Sequence, residues 1–169
     1  MSRIKNRKIE ALAQFLGIDK SRIKRTEDTW RDDLDKETLY VVDNDFSFYV
    51  ASDEQADRLA EQRIKDSLWA FNTSFIAEHS KAIKNSGNRA IAAFAKMQEI
   101  LCEDANAIVE AVIDDMEEFI EDAIASDGRG SFIANYDGEE NEITVDGHDF
   151  NIYCLDVDEV EKEIENERE

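Results

Sequence analysis

Apolar residues recur every three or four positions over long parts of this chain, which is the spacing of helices that bury one face. The spacing predicts a short helix over residues 5–16 that ends at Gly17, and a second helix over residues 52–79. Ser52, at the start of the second helix, is a favourable N-cap residue. Residues 88–126 repeat with the same period, as one helix or as two helices that break near Glu103-Asp104. Most of the chain is therefore predicted to be helical.

β-Branched and aromatic residues replace the helical spacing in two regions. The first region predicts a hairpin around the polar residues 43–45. The second predicts short strands joined by the turn Asp146-Gly147, which suits a type I′ hairpin. The predicted strands cover residues 39–42, 46–50, 132–135, 142–145 and 149–155. The predicted fold class is α+β, a mostly helical single domain with two small antiparallel β-hairpins.

Charge divides the chain more sharply than any linker does. Residues 1–25 hold eight Lys/Arg against two acids, a balance of +6, and the remaining 144 residues hold 12 basic and 39 acidic side chains, a balance of −27. We therefore predict a basic N-terminal helix or arm over 1–25, an acidic α+β core domain over 26–156 and an acidic helical tail over 157–169. The acidic body should repel nucleic acid and anionic membranes and attract basic surfaces. The basic residues are suited to touch nucleic acid, or to clamp onto the acidic body of their own or a neighbouring chain.

The stretch between Met97 and Arg129 has eleven acidic side chains and no Lys or Arg. We call residues 99–127 the acidic segment. It has enough apolar residues to fold, so its carboxylates should lie fixed on a surface rather than in a disordered tail. A helix built only for stability would pair Glu with Lys one turn away, so the lack of Lys is unusual. The apolar residues predicted to face the core are Leu101, Ala105, Ile108, Val112, Met116, Phe119 and Ala123.

Six carboxylates follow the helical period as a second stripe, which is the predicted partner-binding site. They are Glu99, Glu103, Glu110, Asp114, Glu117 and Glu121. On an unbroken helix this stripe spans about 33 Å. All acidic residues from Glu99 to Asp122 then have a mean axial spacing of about 3.5 Å, close to the roughly 3.4 Å between phosphates of one DNA strand. The stripe is suited either to imitate DNA toward a basic protein or to serve as an ordinary solvated face.

No sequence pattern indicates a catalytic, metal or cofactor site. Residues 43–54 place oxygen-bearing side chains in an EF-hand-like frame, but an aromatic residue occupies the position that needs glycine. His79 and His148 are isolated, and Cys102 and Cys154 lack metal-ligand spacing, so two reduced thiols are expected. With 41 acidic residues, pairs of carboxylates arise by chance. We therefore predict a protein that is not an enzyme and needs no metal or cofactor.

The turn Asp127-Gly128-Arg129-Gly130 follows the acidic helices. Two glycines in four residues would cost a helix roughly 2 kcal/mol, so the helix must end there. Arg129 is the only basic residue in a long acidic stretch. We predict that it ties carboxylates such as Asp127 or Asp137 into a fixed structural turn, through charge-assisted hydrogen bonds.

Two motifs are more distinctive than composition. The first is Asp66-Ser67-Leu68-Trp69-Ala70-Phe71-Asn72, and the second joins DGRGSF at 127–132 to Tyr136-Asp137-Gly138-Glu139-Glu140-Asn141-Glu142. With these motifs, over residues 38–155, the chain resembles a family of small, acidic, uncharacterised proteins of tailed bacteriophages. Members tend to have His after Gly-Arg-Gly, where this chain has Ser131, so no catalytic role is carried onto that position. The resemblance implies a phage accessory protein and supplies no biochemical activity.

These patterns lead to one functional expectation and one alternative. The first is a non-catalytic accessory protein in the host cytoplasm that presents its acidic surface to a basic, nucleic-acid-binding host protein, as a DNA-mimic inhibitor of host defence or nucleic-acid machinery. The alternative is a structural protein that forms homo-oligomers by docking the basic residues of one chain on the acidic body of another. No apolar run approaches the roughly 18 residues of a membrane span, and no signal-peptide pattern follows Met1, so neither membrane insertion nor export is expected.

Overall fold

The computed structural model describes most of the chain. The described residues are 3–25, 39–134 and 136–155, with side chains from Arg7 onward. The polar stretch 26–38 and the predicted acidic tail 157–169 lie outside them.

The chain is divided into two compact units. Residues 1–60 and 129–169 form the first, which we call the sheet unit, and residues 61–128 form the second, the helical unit. The predicted basic helix at the N-terminus belongs to the sheet unit. Helices together with one antiparallel sheet confirm the predicted α+β class.

The sheet unit contains a five-stranded antiparallel sheet in the order β1-β2-β3-β5-β4. Its strands are β1 Ile23–Arg25, β2 Leu39–Val42, β3 Phe46–Ala51, β4 Asn141–Val145 and β5 His148–Cys154. Both predicted hairpins are present, but β3 also pairs with β5, with Val50 opposite Ile152. Both residues are fully buried, so this pairing lies in the core. The two hairpins therefore form one sheet, larger than the sequence predicted.

Both hairpin turns use backbone in the left-handed region. Asp43 and Asn44 have φ of 55° and 68°, and Asp146 and Gly147 have φ of 51° and 75°. Two consecutive positive φ angles define the type I′ turn that was predicted for Asp146-Gly147. β4 and β5 pair directly across this turn, so the predicted two-residue loop is confirmed.

Two long helices begin in the sheet unit. α1 spans Arg3–Leu16, which confirms the predicted N-terminal helix, and it packs the fully buried Leu12 into the core of the sheet. α2 spans Asp53–Asp66 and continues into the helical unit. Ser52 Oγ accepts a hydrogen bond from the Gln55 N–H at 3.4 Å, and Gln55 Oε1 accepts one from the Ser52 N–H at 3.1 Å. This reciprocal pair is a capping box, so the predicted N-cap is confirmed.

The helix α8 spans Arg129–Ile133, where part of a strand over 132–135 was predicted. The Ala134 N–H donates to the Gly130 carbonyl at 2.8 Å, which closes a helical turn, and Ile133 is fully buried. The strand prediction is wrong because a short apolar run suits the buried face of a helix as well as it suits a strand.

The helical unit consists of short helices. After α2 come α3 Thr73–Glu78, α4 Lys81–Asn85, α5 Asn88–Leu101, α6 Asn106–Val112 and α7 Met116–Asp127, with 3₁₀ helices at Leu68–Ala70 and Cys102–Ala105. The predicted helix over 52–79 is therefore divided. α2 ends at Asp66, and a new helix begins after Asn72, whose Oδ1 caps it by accepting from the Ser74 N–H at 2.8 Å. Within the part of the chain that the structure describes, no helix is both long enough and apolar enough to cross a membrane.

Candidate functional site

All eleven carboxylates of the acidic segment are exposed to solvent on the helical unit. They are Glu99, Glu103, Asp104, Glu110, Asp114, Asp115, Glu117, Glu118, Glu121, Asp122 and Asp127. Each belongs to a helix or to the short connection before α7. The negative charge is therefore fixed on folded backbone, and not on a disordered tail.

The acidic segment is divided over three helices, however. α5 ends at Leu101, Cys102 has a positive φ of 50°, and Ile113 is extended between α6 and α7. The structure therefore has the broken alternative for residues 88–126, with its first break beside the predicted position at Glu103-Asp104. The stripe of about 33 Å required an unbroken helix and does not form, because a rise of 1.5 Å per residue holds only within one helix. The agreement with the spacing of DNA phosphates assumed that rise, so it does not hold either.

The breaks also change which apolar side chains are buried. Five of the seven predicted core residues are buried or half-buried: Ala105, Phe119, Ala123, Val112 and Met116. Leu101 and Ile108 are instead 36% and 42% exposed, and Val109 takes the buried position. The prediction is wrong at these two positions because the 3₁₀ helix Cys102–Ala105 turns more tightly than an α-helix and shifts the phase of the repeat.

The six predicted partner-binding carboxylates differ in their surroundings. Glu99 pairs with Lys96, with Oε2 and Nζ 2.6 Å apart. Asp114 supports the fold, because its Oδ2 accepts from the Lys81 N–H at 2.6 Å and its own N–H donates to the His79 carbonyl at 2.9 Å. The remaining four are exposed and form no ion pair within the described ranges: Glu103, Glu110, Glu117 and Glu121.

Asp115 has a structural role that the sequence analysis missed. Its Oδ1 accepts from the N–H groups of Glu117 and Glu118, both at 3.1 Å, and so caps the N-terminus of α7. An Asp followed by acidic residues in the first turn is a recognised helix start. The long 3.6-residue period across 88–126 concealed this local pattern.

A groove of about 750 Å³ lies beside the start of the acidic segment, within the helical unit. One face of α5 forms one wall, through Asn88, Ile91, Ala92, Ala95 and, at the acidic end, Glu99. Residues 69–74 form the opposite wall, and they include residues 69–72 of the motif at 66–72. The groove thus places aromatic and small apolar side chains next to the acidic segment.

Gln98 holds the two walls of this groove together. The residue is 7% exposed, and its Nε2 donates to the carbonyls of Trp69 at 2.8 Å and Phe71 at 2.9 Å. Its Oε1 accepts from Thr73 Oγ1 at 2.6 Å. Because each polar atom of the buried amide has a partner, the groove is a fixed feature of the helical unit.

Arg129, at the start of α8, holds three carboxylates within the sheet unit. Nη2 donates to Asp53 Oδ1 at 2.9 Å, and Nη1 donates to Asp57 Oδ1 at 2.8 Å. Nε and Nη2 donate to the two oxygens of Glu140 at 2.9 Å and 2.8 Å. The Arg129 side chain is only 16% exposed. These contacts join the first turns of α2 and the loop before β4 to α8.

Two buried side chains of β5 extend this group. Asn151 Nδ2 donates to Asp53 Oδ1 at 2.8 Å, and the Tyr153 hydroxyl donates to Glu140 Oε2 at 2.6 Å. Both residues are almost completely buried. We call the six residues the Arg129 cluster: Arg129, Asp53, Asp57, Glu140, Asn151 and Tyr153.

The contacts of the cluster shift the pKa of its members. The hydrogen bond from Arg129, supported by one from Asn151, holds the pKa of Asp53 below its ordinary value of 3.8. Burial raises the pKa of Glu140, but hydrogen bonds from Arg129 and Tyr153 together outweigh burial and leave it below its ordinary value of 4.5. Burial, together with the hydrogen bond to Glu140, raises the pKa of Tyr153.

The predicted structural turn at Asp127-Gly128-Arg129-Gly130 connects α7 to α8. The Gly128 N–H donates to a carbonyl of the last turn of α7 at 2.8 Å, and Gly128 has a φ of 78°. Arg129 does not hold the predicted partners that lie near it in sequence. Asp137 instead accepts from a backbone N–H of its own loop, at 2.9 Å.

Gly130 allows this turn to approach the loop before β4. A Cβ atom built on Gly130 would lie 2.2 Å from the Gly138 carbonyl oxygen and 2.9 Å from the Glu139 carbonyl carbon. No side chain fits there without a backbone shift. The two parts of the motif, residues 127–132 and 136–142, are therefore adjacent in space. Their backbones can approach closely because Gly130 has no side chain at the point of contact with Gly138 and Glu139.

The Arg129 cluster is suited to hold the fold together rather than to bind a ligand. All five N–H donors of the guanidinium are engaged, by three carboxylates and by the Asp53 carbonyl at 3.4 Å. None is left to bind an anionic substrate. With three carboxylates around one cation, the cluster also lacks the positive potential that would attract one.

We expect the Arg129 cluster to make the stability of the protein sensitive to acid. A carboxylate with a lowered pKa stabilises the fold above its ordinary pKa, and this contribution is lost as the pH falls through the lowered pKa. The free energy of unfolding should therefore fall as the pH decreases below about 4.5, the ordinary pKa of Glu140. Urea unfolding of Glu140→Gln across pH 3–7 should show a weaker dependence than the wild type.

Glu139→Gln is the matched control, because Glu139 is the exposed neighbour of Glu140. It removes the same charge from the same loop and should leave the pH dependence of the wild type unchanged. Identical profiles for Glu140→Gln and Glu139→Gln would contradict the assignment of the acid sensitivity to Glu140.

Three basic residues of the N-terminal segment pair with acidic side chains of the same chain. Arg7 Nε lies 3.5 Å from Asp146 Oδ2 in the turn between β4 and β5. Arg22 Nε donates to Asp43 Oδ1 at 3.0 Å, and Lys20 pairs within the segment itself. These contacts lie within one chain, and contacts of the segment with nucleic acid or with a neighbouring chain stay predictions.

The structure shows no cation site in the residues it describes. Across 3–25, 39–134 and 136–155, no three or more His, Cys, Asp or Glu side chains are grouped so that they could hold a metal ion. Asp43, the first position of the EF-hand-like frame, pairs with Arg22.

Comparison of the chain with protein families, with curated proteins and with solved structures finds no match.

Proposed function

We propose that this protein is a non-catalytic accessory protein that binds a basic, nucleic-acid-binding protein through the acidic segment. The observation that carries the proposal is the exposure of eleven carboxylates on successive helices, in a stretch without Lys or Arg. Like charges at this density repel one another and weaken the helices that bear them. A basic partner would relieve this repulsion when it binds.

The helical unit has compensating charges outside the acidic segment and at its first residue. In α2, Lys65 pairs with Glu61 one turn earlier, and in α5, Lys96 pairs with Glu99. Such pairs stabilise a helix by about 0.2–0.5 kcal/mol each. α6 and α7 have no basic residue at all. This contrast supports recognition of a partner over general solubility as the reason for the acidic segment.

The complement of such a surface is a protein that ordinarily binds phosphates. Because the segment is divided over three helices, its likeness to DNA lies in the density of charge and not in the spacing of phosphates. Association should be fast at low ionic strength and should weaken steeply with salt. The resemblance to phage proteins supports a target in the host cytoplasm, among defence proteins or nucleic-acid machinery.

Affinity capture from a bacterial lysate tests the proposal. At about 50 mM salt the immobilised protein should retain basic proteins, and duplex DNA or about 300 mM salt should release them. The double variant Glu103→Lys/Glu110→Lys should weaken capture about tenfold, because it replaces attraction with repulsion in the centre of the segment.

The matched control is Glu54→Lys/Glu78→Lys, which makes the same change in charge at exposed positions outside the segment. It should retain nearly all of the capture. Recovery of only neutral or acidic proteins at low salt, or equal loss in both double variants, would show that the acidic segment is not a specific surface.

A further inference from the structure

The groove of the helical unit runs along about three turns of α5. Its α5 wall uses residues at i, i+3, i+4 and i+7 from Asn88, and it extends to Glu99, about 17 Å or three turns away. Ala92 and Ala95 are exposed on this wall, and such small side chains let another helix approach closely. An amphipathic helix that inserts its apolar face into a groove is a common mode of recognition.

The opposite wall is held in place without a ligand. Besides the bonds from Gln98, Asn106 Oδ1 accepts from the Trp69 N–H at 3.1 Å, and Asn106 Nδ2 donates to the Lys65 carbonyl at 2.6 Å. Because the walls are already fixed, a partner would lose little affinity to ordering of the groove.

Two large apolar side chains that follow Glu99 in the chain are exposed to solvent, outside the lining of the groove. Ile100 is 68% exposed and Leu101 is 36% exposed, directly after Glu99, which lines the groove. An exposed apolar patch with a charged border is typical of an interaction surface. A surface that only imitated nucleic acid would have no use for these side chains.

Charge distinguishes the two ends of the groove, and at the acidic end Lys96 pairs with one of the three carboxylates, Glu99. The 3₁₀ helix Leu68–Ala70, in the wall, packs against the 3₁₀ helix that carries Glu103 and Asp104. At the other end, Arg89 follows Asn88 at the start of α5. A helix in the groove is therefore expected to place its basic residues at the Glu99 end.

We infer that this groove binds an amphipathic helix of the partner, with its apolar face against Trp69, Ile91 and Ala95 and its Lys/Arg residues toward Glu99, Glu103 and Asp104. The inference rests on the proposed function and specifies the part of the basic partner that is recognised. The partner class is a protein with a basic amphipathic helix, since both nucleic acid and an acidic peptide would be repelled by the adjoining carboxylates.

A synthetic peptide serves as the probe. It has about 14 residues, roughly 21 Å as a helix, with Leu on one face and Lys on the other. Its control has the same composition in scrambled order, so that no apolar face forms. Fluorescence anisotropy of the labelled peptides with the full chain should show about tenfold tighter binding of the amphipathic peptide.

Two single substitutions locate the site. Ala95→Arg fills the groove and should weaken binding of the amphipathic peptide about tenfold. Ala93→Arg makes the same change in charge on an exposed position of α5 that does not line the groove, and should change binding less than about twofold. Far-UV circular dichroism establishes that both variants are folded.

Equal binding of the two peptides, equal effects of the two substitutions, or no binding of either peptide would overturn the inference. These results would leave the proposed function in place if Glu103→Lys/Glu110→Lys still weakened capture of basic proteins from lysate about tenfold. If the two lysine substitutions also left capture unchanged, both the inference and the proposed function would be wrong.

Discussion

Replacing Arg129 with methionine should lower the free energy of unfolding by about 2–4 kcal/mol, because three carboxylates lose their common partner. The largest part comes from Glu140, whose side chain is 31% exposed and would keep a half-buried charge beside the buried Tyr153. Asp53 and Asp57 are 68% and 64% exposed, so water can solvate them and they contribute little. This exposure places the expected loss below that of a fully buried ion pair.

Urea unfolding followed by circular dichroism measures this loss, and Arg89→Met is the matched control. Arg89 is exposed on α5, so its removal should cost less than about 0.5 kcal/mol. Arg129→Lys should recover less than half of the loss, because an ammonium group cannot reproduce five hydrogen bonds in a planar fork. If Arg129→Met and Arg89→Met unfold at the same urea concentration, the cluster does not stabilise the fold.

Gly130→Ala should destabilise the protein by about 2–3 kcal/mol, although Gly130 lies in a helix where Ala is normally preferred by about 1 kcal/mol. The added Cβ would lie 2.2 Å from the Gly138 carbonyl oxygen, and both contacting groups are backbone, so no side chain can move aside. Helix propensity thus predicts that Gly130→Ala increases stability, whereas the backbone contact predicts that it decreases stability. We expect the effect of the contact to be the larger.

Gly128→Ala is the comparison for Gly130→Ala within the same motif. Gly128 has a φ of 78° and a ψ of 153°, a conformation that is essentially limited to glycine, and open space around its Cα. Ala there should cost about 1–3 kcal/mol of local backbone strain without displacing the loop before β4. Hydrogen exchange gives an independent readout. Gly130→Ala should accelerate exchange in residues 136–140, whereas Gly128→Ala should leave that loop protected as in the wild type. A neutral or stabilising Gly130→Ala would contradict the close approach.

The effects of Arg129→Met and Gly130→Ala should not add. Displacing the loop at Gly138 also moves Glu140 away from Arg129, so each substitution removes part of what the other removes. A double-mutant cycle should give a coupling energy of about 1 kcal/mol or more, compared with less than about 0.5 kcal/mol for independent sites. Such coupling would show that the motif at 127–142 acts as one structural element.

Local patterns predicted much of the secondary structure. The turn Asp146-Gly147, the N-cap at Ser52 and the helix end at Gly17 each depend on a few adjacent residues, and each is present in the structure. The exposure of the acidic segment also follows from sequence, since charged side chains are rarely buried without partners. These features need no knowledge of distant residues.

Of the interruptions in residues 88–126, a break near Glu103-Asp104 was one of two alternatives from the sequence, and the break before α7 was not predicted. Cys102 adopts a positive φ, and the cap at Asp115 restarts the backbone as α7. The apolar period ran through both positions, so it placed Leu101 and Ile108 in the core although both are exposed. A periodic pattern reports that helices are present, but not the phase between one helix and the next.

The sequence by itself determined the α+β class, the hairpin turns, the starts of three of the eight described α-helices (α1, α2 and α5) and the acidic character of the surface, because adjacent residues decide these features. Only the tertiary structure decided that the hairpins join into one sheet, that Arg129 holds Asp53 from 76 positions away, and that Gly130 gives room to the loop before β4. It also placed a groove beside the acidic segment. Such contacts join residues far apart in the chain, and they depend on how the elements pack rather than on any local preference.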